Sequence, residues 1–360
     1  MSRSGTATLS LLPARQYRVV QWATGNVGTR SLRTVIEHPA LTLVGLYVYS
    51  DAKAGRDAGE LCGLAPIGVK ATRSIDEILA LKADCVLYMP QSINVDDLCR
   101  LLESGANVVT PRPEFCLASA VEPALRERIE AACLRGGTSI HSTGSSPGFI
   151  TEAMPLALLS IQRRLDVLHI NEYADCSSRD SPEMLFGIMG FGQAPNPQAE
   201  AGRVHYLRQE FGPSLQVVAG AVGLSFDSIE ASGKVAFARN TVKIAAGIVE
   251  AGTVAALRTT VSGMRNGKPL MTFTANWFVS YDIDADWKLR GDGWQVEVEG
   301  DCPLDMHLYF TVPAERKAAT TPGYTAHRAV NAVSYVCAAA PGIRTSAELP
   351  QIITDLSGQA

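Results

Sequence analysis

Tyr17–Arg30, YRVVQWATGNVGTR, is the stretch whose reading decides the fold. A short apolar run at Val19 and Val20 leads into Ala23-Thr24-Gly25-Asn26-Val27-Gly28 and then into a helix-like segment, Ser31–His38. Strand, glycine turn and helix start, in that order, are the parts of a dinucleotide-binding unit. Gly25 would let the backbone approach a pyrophosphate without a Cβ in the way, and Gly28 would let the helix lie close on the strand. The free N–H groups of the helix N-terminus would hold phosphate oxygens, which makes Thr24, Gly25, Asn26, Val27 and Gly28 the candidate cradle. Trp22 stands where the G-x-x-G-x-x-G spacing has its first glycine, so an ordinary strand–helix turn is also compatible with the stretch.

Outward from that stretch, strand-like and helical segments alternate. Leu41–Tyr49 reads as a second strand. Ser74–Leu81 reads as a helix entered by a Ser74/Glu77 capping box. Cys85–Met89, Asn107–Thr110 and Thr138–Ser142 are short buried strands, and Val95–Ser104 and Val121–Arg135 are helices. Apolar runs of this kind between helices predict a Rossmann-type doubly wound parallel sheet over residues 17–148. The pattern then changes. Val167–Tyr173, Thr253–Met264, Lys268–Ser280, Trp294–Gly300 and Asp305–Val312 are strand-like, and Arg265-Asn266-Gly267 signals a type I′ hairpin. This predicts a second α+β domain with a mainly antiparallel sheet over 149–317, for substrate and dimerisation. Tyr324–Ala340 reads as a helix, within a segment 318–360 that packs back on the first domain. Residues 1–16 read as a flexible extension.

Composition bounds the function. A net charge of −4 with no basic block argues against nucleic-acid or anionic-membrane partners. No apolar run reaches the roughly 20 residues of a bilayer span. The eight cysteines form no C-x-x-C pair and read as reduced thiols of a cytoplasmic protein, not as a metal site.

In such sheets ligands lie outside the carboxyl ends of the strands. The residues that follow the second strand choose the cofactor. Ser50 stands where an acidic ribose-binding residue would be, Asp51 follows, and Lys53 is within reach, which leans towards NADP over NAD. A solvated loop is the plain alternative. Met89, Pro90 and Gln91 follow one strand, and Thr110 precedes the turn Pro111-Arg112-Pro113-Glu114-Phe115. A carboxylate at Glu114, flanked by prolines and an aromatic ring, suits proton exchange; a charge favouring the next helix start is the alternative reading. His141 is either a proton donor or a structural histidine. The glycine-broken stretch Met184–Gly192 is either an adaptable apolar pocket or core.

The segments VVQWATGNVG, TPRPEF, STGSSPGF, MLFGIMGFG and HRAVNAVSYVCAAAPGI, in this order, resemble the 2,4-diaminopentanoate dehydrogenase and native amine dehydrogenase family, whose nucleotide domain is dihydrodipicolinate reductase-like. The resemblance implies a homodimeric NAD- or NADP-dependent oxidoreductase that interconverts an amine with a ketone or aldehyde plus ammonia. It implies that Glu114 is the catalytic acid/base. It implies a substrate pocket drawn from Ser145, Ser146, Phe149, Tyr173, Phe186, Met189 and Phe191. It also implies that a late helix carrying His327 and Asn331 returns to the nucleotide domain, with Asn331 at the cofactor. A carbonyl or imine reductase of the same fold and a non-catalytic NADP-binding sensor are the alternatives. A true dihydrodipicolinate reductase is disfavoured, because neither a His-His pair nor a K-x-x-x-S-G-T anion site is present.

Overall fold

The computed structural model describes residues 15–357. The extension expected over residues 1–16 lies outside them, apart from Arg15 and Gln16. Two sheets organise the chain.

The first sheet is built from β1 (Tyr17–Trp22), β2 (Leu41–Tyr47), β3 (Ala71–Thr72), β4 (Cys85–Tyr88), β5 (Asn107–Thr110) and β6 (Ser139–Ser142). The helices between them are α1 (Asn26–Glu37), α2 (Ala58–Leu61), α3 (Ile75–Ala80), α4 (Val95–Glu103) and α5 (Pro123–Gly136). All pairs are parallel, in the order β6-β5-β4-β1-β2-β3. Every residue of β4 is buried, as a strand covered on both faces requires. Leu32 and Val35 of α1 pack on one face, and Ile78, Leu98 and Ile129 of α3, α4 and α5 on the other. The helix starts follow sequence chemistry: Ser74 caps α3, Asn94 caps α4, and Glu122 with Pro123 opens α5, which stops at Gly137 in the left-handed region (φ 66°). The order reverses between β1 and β4, and in such sheets ligands bind outside the strands' carboxyl ends at that switch point.

The second sheet follows α6 (Met154–Leu159). Its strands are β7 (Leu165–Asp175), β8 (Ser228–Phe237), β11 (Val254–Arg265), β12 (Lys268–Phe278), β13 (Gly293–Gly300) and β14 (Leu304–Tyr309), with a small hairpin, β9 (Val242–Ile244) and β10 (Gly247–Val249), beside it. The order is β14-β13-β7-β12-β11-β8, antiparallel except for β7 with β12. The β11–β12 turn is the expected hairpin, with Asn266 and Gly267 at φ 52° and 72°. A 25-residue helix, α7 (Pro197–Ala221), lies on one face of the sheet and was not anticipated from the sequence.

The chain then returns to the first sheet through α8 (Ala314–Asn331), α9 (Val333–Cys337) and β15 (Gly342–Arg344), which adds a seventh parallel strand beside β6. The helix expected from Tyr324 thus begins at Ala314. Pro322 has no N–H to give the Ala318 carbonyl, and Arg30 of α1 fills the gap, donating to the carbonyls of Ala318 (3.3 Å) and Ala319 (3.0 Å). No helix among the described residues is long and apolar enough to cross a membrane. All eight cysteines are free, six of them buried.

Candidate active site

The glycine turn has the geometry of an anion cradle. α1 begins at Gly25 with no side-chain cap and no acidic residue in its first turn, whereas α2, α3, α4, α5 and α7 are all capped by side chains. Its first N–H groups are therefore free for a ligand. A Cβ on Gly25 would meet nothing within 4 Å, so this glycine borders open space; one on Gly28 would come within 2.3 Å of the Ala23 carbonyl, so that glycine is demanded by strand–helix packing. Ala23 takes the left-handed conformation (φ 74°) that turns the chain. Trp22 does not obstruct the turn. Its indole is fully buried on the α3–α4 side, stacked on Tyr47 with centroids 3.7 Å apart, and its Nε1 donates to Tyr49 Oη. Asn26 accepts from Arg30 through its side-chain oxygen (2.8 Å), and Val27 packs on the core.

On the ribose side, β2 ends at Tyr47, two residues before the expected Tyr49. Ser50 is exposed and Asp51 is ion-paired with Arg73. Lys53 reaches back to the cradle and donates to both the Thr24 carbonyl and Thr24 Oγ1, each at 3.0 Å. Met89 and Pro90 are buried at the β1/β4 switch point, where Met89 N–H donates to the Trp22 carbonyl. Thr110 is fully buried and shapes the next turn: its Oγ1 accepts from Arg112 N–H and its carbonyl from Thr143 N–H.

Glu114 sits in a single 3₁₀ turn, Pro113–Phe115. Phe115 anchors it, fully buried and donating its N–H to Ser142 Oγ at 3.1 Å. Arg112 pairs with Glu114 Oε1 and donates to the Gln91 carbonyl at 3.0 Å, tying two strand-end loops together. Glu114 Oε2 has no hydrogen-bond partner among the described residues. Across a groove of about 580 Å³ stand Tyr206 and Glu210 of α7. Burial pushes the Glu210 carboxyl up, and the charge of Glu114 pushes it further. Tyr206 and Glu210 were missed because α7 was missed. The signal was present: Asn196 caps the helix and Pro197 occupies its first position.

Ser145, Ser146 and Tyr173 come together in a second cavity of about 240 Å³ between the β6 loop, β7 and α8, with Glu172, Asp292, Trp294 and Lys317. Lys317 pairs with Asp292 at 2.5 Å. Glu172 accepts from the indole N–H groups of Trp277 and Trp294 at 3.1 and 3.0 Å. Ser145 Oγ lies 2.8 Å from Thr325 Oγ1, and Ser146 Oγ has no partner among the described residues. Phe149 stands behind this wall, its ring 6.4 Å from Trp294.

Two expectations are corrected. Phe186, Met189 and Phe191 line neither cavity. They belong to an apolar cluster beside the β9–β10 hairpin, where Phe191 is fully buried core. Asn331 is not at the cofactor crevice. It neighbours Tyr17 and Leu41, the first residues of β1 and β2, at the opposite end of the sheet. α8 runs away from the crevice from Lys317 onwards, and its rise of about 1.5 Å per residue carries Asn331 some 20 Å along. His141 is fully buried, and burial lowers its pKa to about 4; its Nδ1–H donates to the Arg344 carbonyl (2.8 Å), the structural alternative. Among the described residues no three His, Cys, Asp or Glu side chains converge as a metal site requires.

Residues 202–359 match the family described as the 2,4-diaminopentanoate dehydrogenase C-terminal domain. The chain is 30% identical over 344 residues to an amine dehydrogenase of Streptomyces virginiae, covering 92% of this chain and 95% of that one. The solved amine dehydrogenase of Mycobacterium smegmatis shares the fold with a TM-score of 0.75 at 22% identity, over 95% of this chain and 98% of that one. A probable dehydrogenase from Thermotoga maritima gives 0.52 at 14% identity, over 91% of each chain.

Proposed function

The chain belongs to the amine dehydrogenase family, and from that premise we propose that it is a nicotinamide-dependent oxidoreductase acting on a CH–NH2 donor. It interconverts an amine with a ketone or aldehyde plus ammonia. The observation that carries this reading is the pairing of an uncapped α1 N-terminus at Gly25 with a carboxylate, Glu114, that has one oxygen unpartnered at the same edge of the sheet.

The cradle fits a dinucleotide: Thr24–Gly28 would hold the pyrophosphate, and Met89–Gln91 and Thr110 would border the nicotinamide ribose. Such a cofactor supplies the hydride acceptor or donor. The chain's own residues do the rest. Glu114 takes a proton from the adding ammonia and passes it to the carbonyl oxygen, which becomes a hydroxyl; a second proton, drawn from ammonium or solvent and delivered by Glu114, lets that hydroxyl leave as water. Its anionic form then stabilises the iminium carbon–nitrogen charge. Arg112 holds Glu114 Oε1, leaving Oε2 as the proton-exchanging atom. Ser145, Ser146, Phe149 and Tyr173 would border the substrate, although Ser145, Ser146 and Tyr173 line the second cavity and Glu114 the groove facing α7. NADP is favoured over NAD, because Arg73 neutralises Asp51 and Lys53 is anchored at the cradle. The face of the second sheet away from α7 carries polar side chains such as His169, Asn171, Thr260 and Thr274, and we place the homodimer contact there. A cytoplasmic location suits eight free thiols.

The reading is tested by NADPH and NADH oxidation with a panel of ketones and aldehydes, with and without ammonium. Turnover that requires ammonium supports it, and the better cofactor tests the Lys53 argument. Turnover indifferent to ammonium makes the chain a carbonyl reductase.

A further inference from the structure

A buried carboxyl outside both cavities joins three elements that the proposed reaction needs held together. Glu152 lies on a π-type turn, Phe149–Ala153, by which the chain leaves the first sheet, and is 1% exposed. Its Oε1 accepts from Ser214 Oγ at 2.6 Å and from Cys116 Sγ at 3.3 Å. Ser214 is fully buried on α7, the helix that carries Tyr206 and Glu210. Cys116 is two residues beyond Glu114 and ends the same 3₁₀ turn. Thr151 completes the chain of bonds, lying 2.7 Å from Ser214 Oγ and accepting from Gly148 N–H at 2.9 Å. The donors run in one direction: Gly148 N–H to Thr151, Thr151 to Ser214, and Ser214 to Glu152. Gly148 itself sits where only a glycine fits, at φ 120° with a Cβ position 2.6 Å from Gly144 N.

We propose that Glu152 is a positioning residue for the reaction, acting through Cys116 and Ser214 to hold the Glu114 turn against α7 and the β6 loop. This rests on the assignment of Glu114 as acid/base. Ser346 and Arg328, from the returning C-terminal segment, stand beside the same carboxyl, so the tie also reaches the seventh strand. Burial raises the Glu152 pKa, and the tie as drawn needs only a neutral acceptor at Oε1. A glutamine keeps that acceptor, whereas an alanine removes it. Ser214→Ala breaks the α7 link alone and leaves the carboxyl in place. A misplacement of about 1 Å at a reacting group can cost about a hundredfold in rate, so the tie is expected to show in kcat.

The experiment compares wild type, Glu152→Gln, Glu152→Ala and Ser214→Ala, with Glu114→Gln as control. Three quantities are read: cofactor Kd, kcat for ammonium-dependent cyclohexanone reduction, and amide hydrogen exchange over residues 113–117. The expected result for Ser214→Ala and Glu152→Ala is a kcat lower by about ten- to a hundredfold, faster exchange over 113–117 and an unchanged cofactor Kd, while Glu152→Gln keeps wild-type values of all three. Wild-type kcat and exchange in Ser214→Ala would overturn the proposal, as would a cofactor Kd that weakens in step with kcat. If Glu152→Ala does not fold, Ser214→Ala decides; if cyclohexanone is not turned over, exchange decides. Full activity in Glu114→Gln would instead remove the acid/base assignment while leaving the exchange result to judge the tie.

Discussion

The two ends of the seven-stranded sheet are made from the same strands yet treat their polar groups in opposite ways. At the amino ends the groups are consumed internally. Arg18 N–H donates to Asp84 Oδ2, Asn107 Nδ2 to the Asp84 carbonyl, Ser139 N–H to Asn107 Oδ1, and Ser139 Oγ to the Val336 carbonyl. At the carboxyl ends α1 starts uncapped, Gly25 faces open space, and atoms of Arg112, Glu114, Thr143 and Ser146 are buried without partners among the described residues. Unmade hydrogen bonds cost stability; others lie elsewhere, at Arg203 and Thr259 for example, but of the two ends of this sheet the carboxyl end joins them to an uncapped helix start, which points to it as the place where a ligand completes them.

That contrast can be broken or sharpened, starting with the largest effect. Glu114→Gln should lower ammonium-dependent kcat by about 10²–10⁴-fold with cofactor affinity retained, measured by stopped-flow against titration of cofactor fluorescence. Gly28→Ala and Gly25→Ala should separate the two roles of the glycine turn. The first drives a Cβ into the Ala23 carbonyl and should cost roughly 1–3 kcal/mol of stability by denaturant melts. The second should leave stability alone and weaken the cofactor by about tenfold, a loss of roughly 1.4 kcal/mol. His141 tests the buried middle of the sheet. Its pKa falls from 6.5 to about 4 on folding, so the unfolded chain binds its proton first as pH drops. Stability should therefore be lost as pH falls from 6.5 towards 4, by roughly 3 kcal/mol over the window, and His141→Gln should flatten that slope. Asn331→Ala, at the amino ends, should leave cofactor affinity unchanged by calorimetry.

The same contrast explains what was legible in the sequence. Most of the nucleotide half is legible because its elements have local causes, such as the apolar run of β4 and the Ser74 cap of α3; α2, β3 and β15, of two to four residues each, carry too short a pattern to be read. α7 was illegible because Gly202, Gly212, Pro213 and Gly220 lie within it, breakers by local propensity, and packing of Leu207, Phe211 and Leu215 on the second sheet overrides them. With α7 unseen, the wall opposite Glu114 could not be drawn. Asn331 was misplaced for a related reason. A helix can be recognised from its pattern, but which of its ends meets the crevice depends on Arg30 gripping the carbonyls freed near Pro322, a contact nearly 300 residues apart in the chain. The Met184–Gly192 stretch looked like a pocket because its apolar residues and glycines suit one, and the tertiary structure uses Phe191 as core.

The most direct test of the central claim follows the hydride. Wild-type protein is incubated with cofactor carrying deuterium at the transferable position, a ketone that it turns over, and ammonium, and the product is examined by mass spectrometry. An amine with deuterium on the carbon that bears nitrogen is the predicted result. A deuterated alcohol formed equally well without ammonium would contradict it.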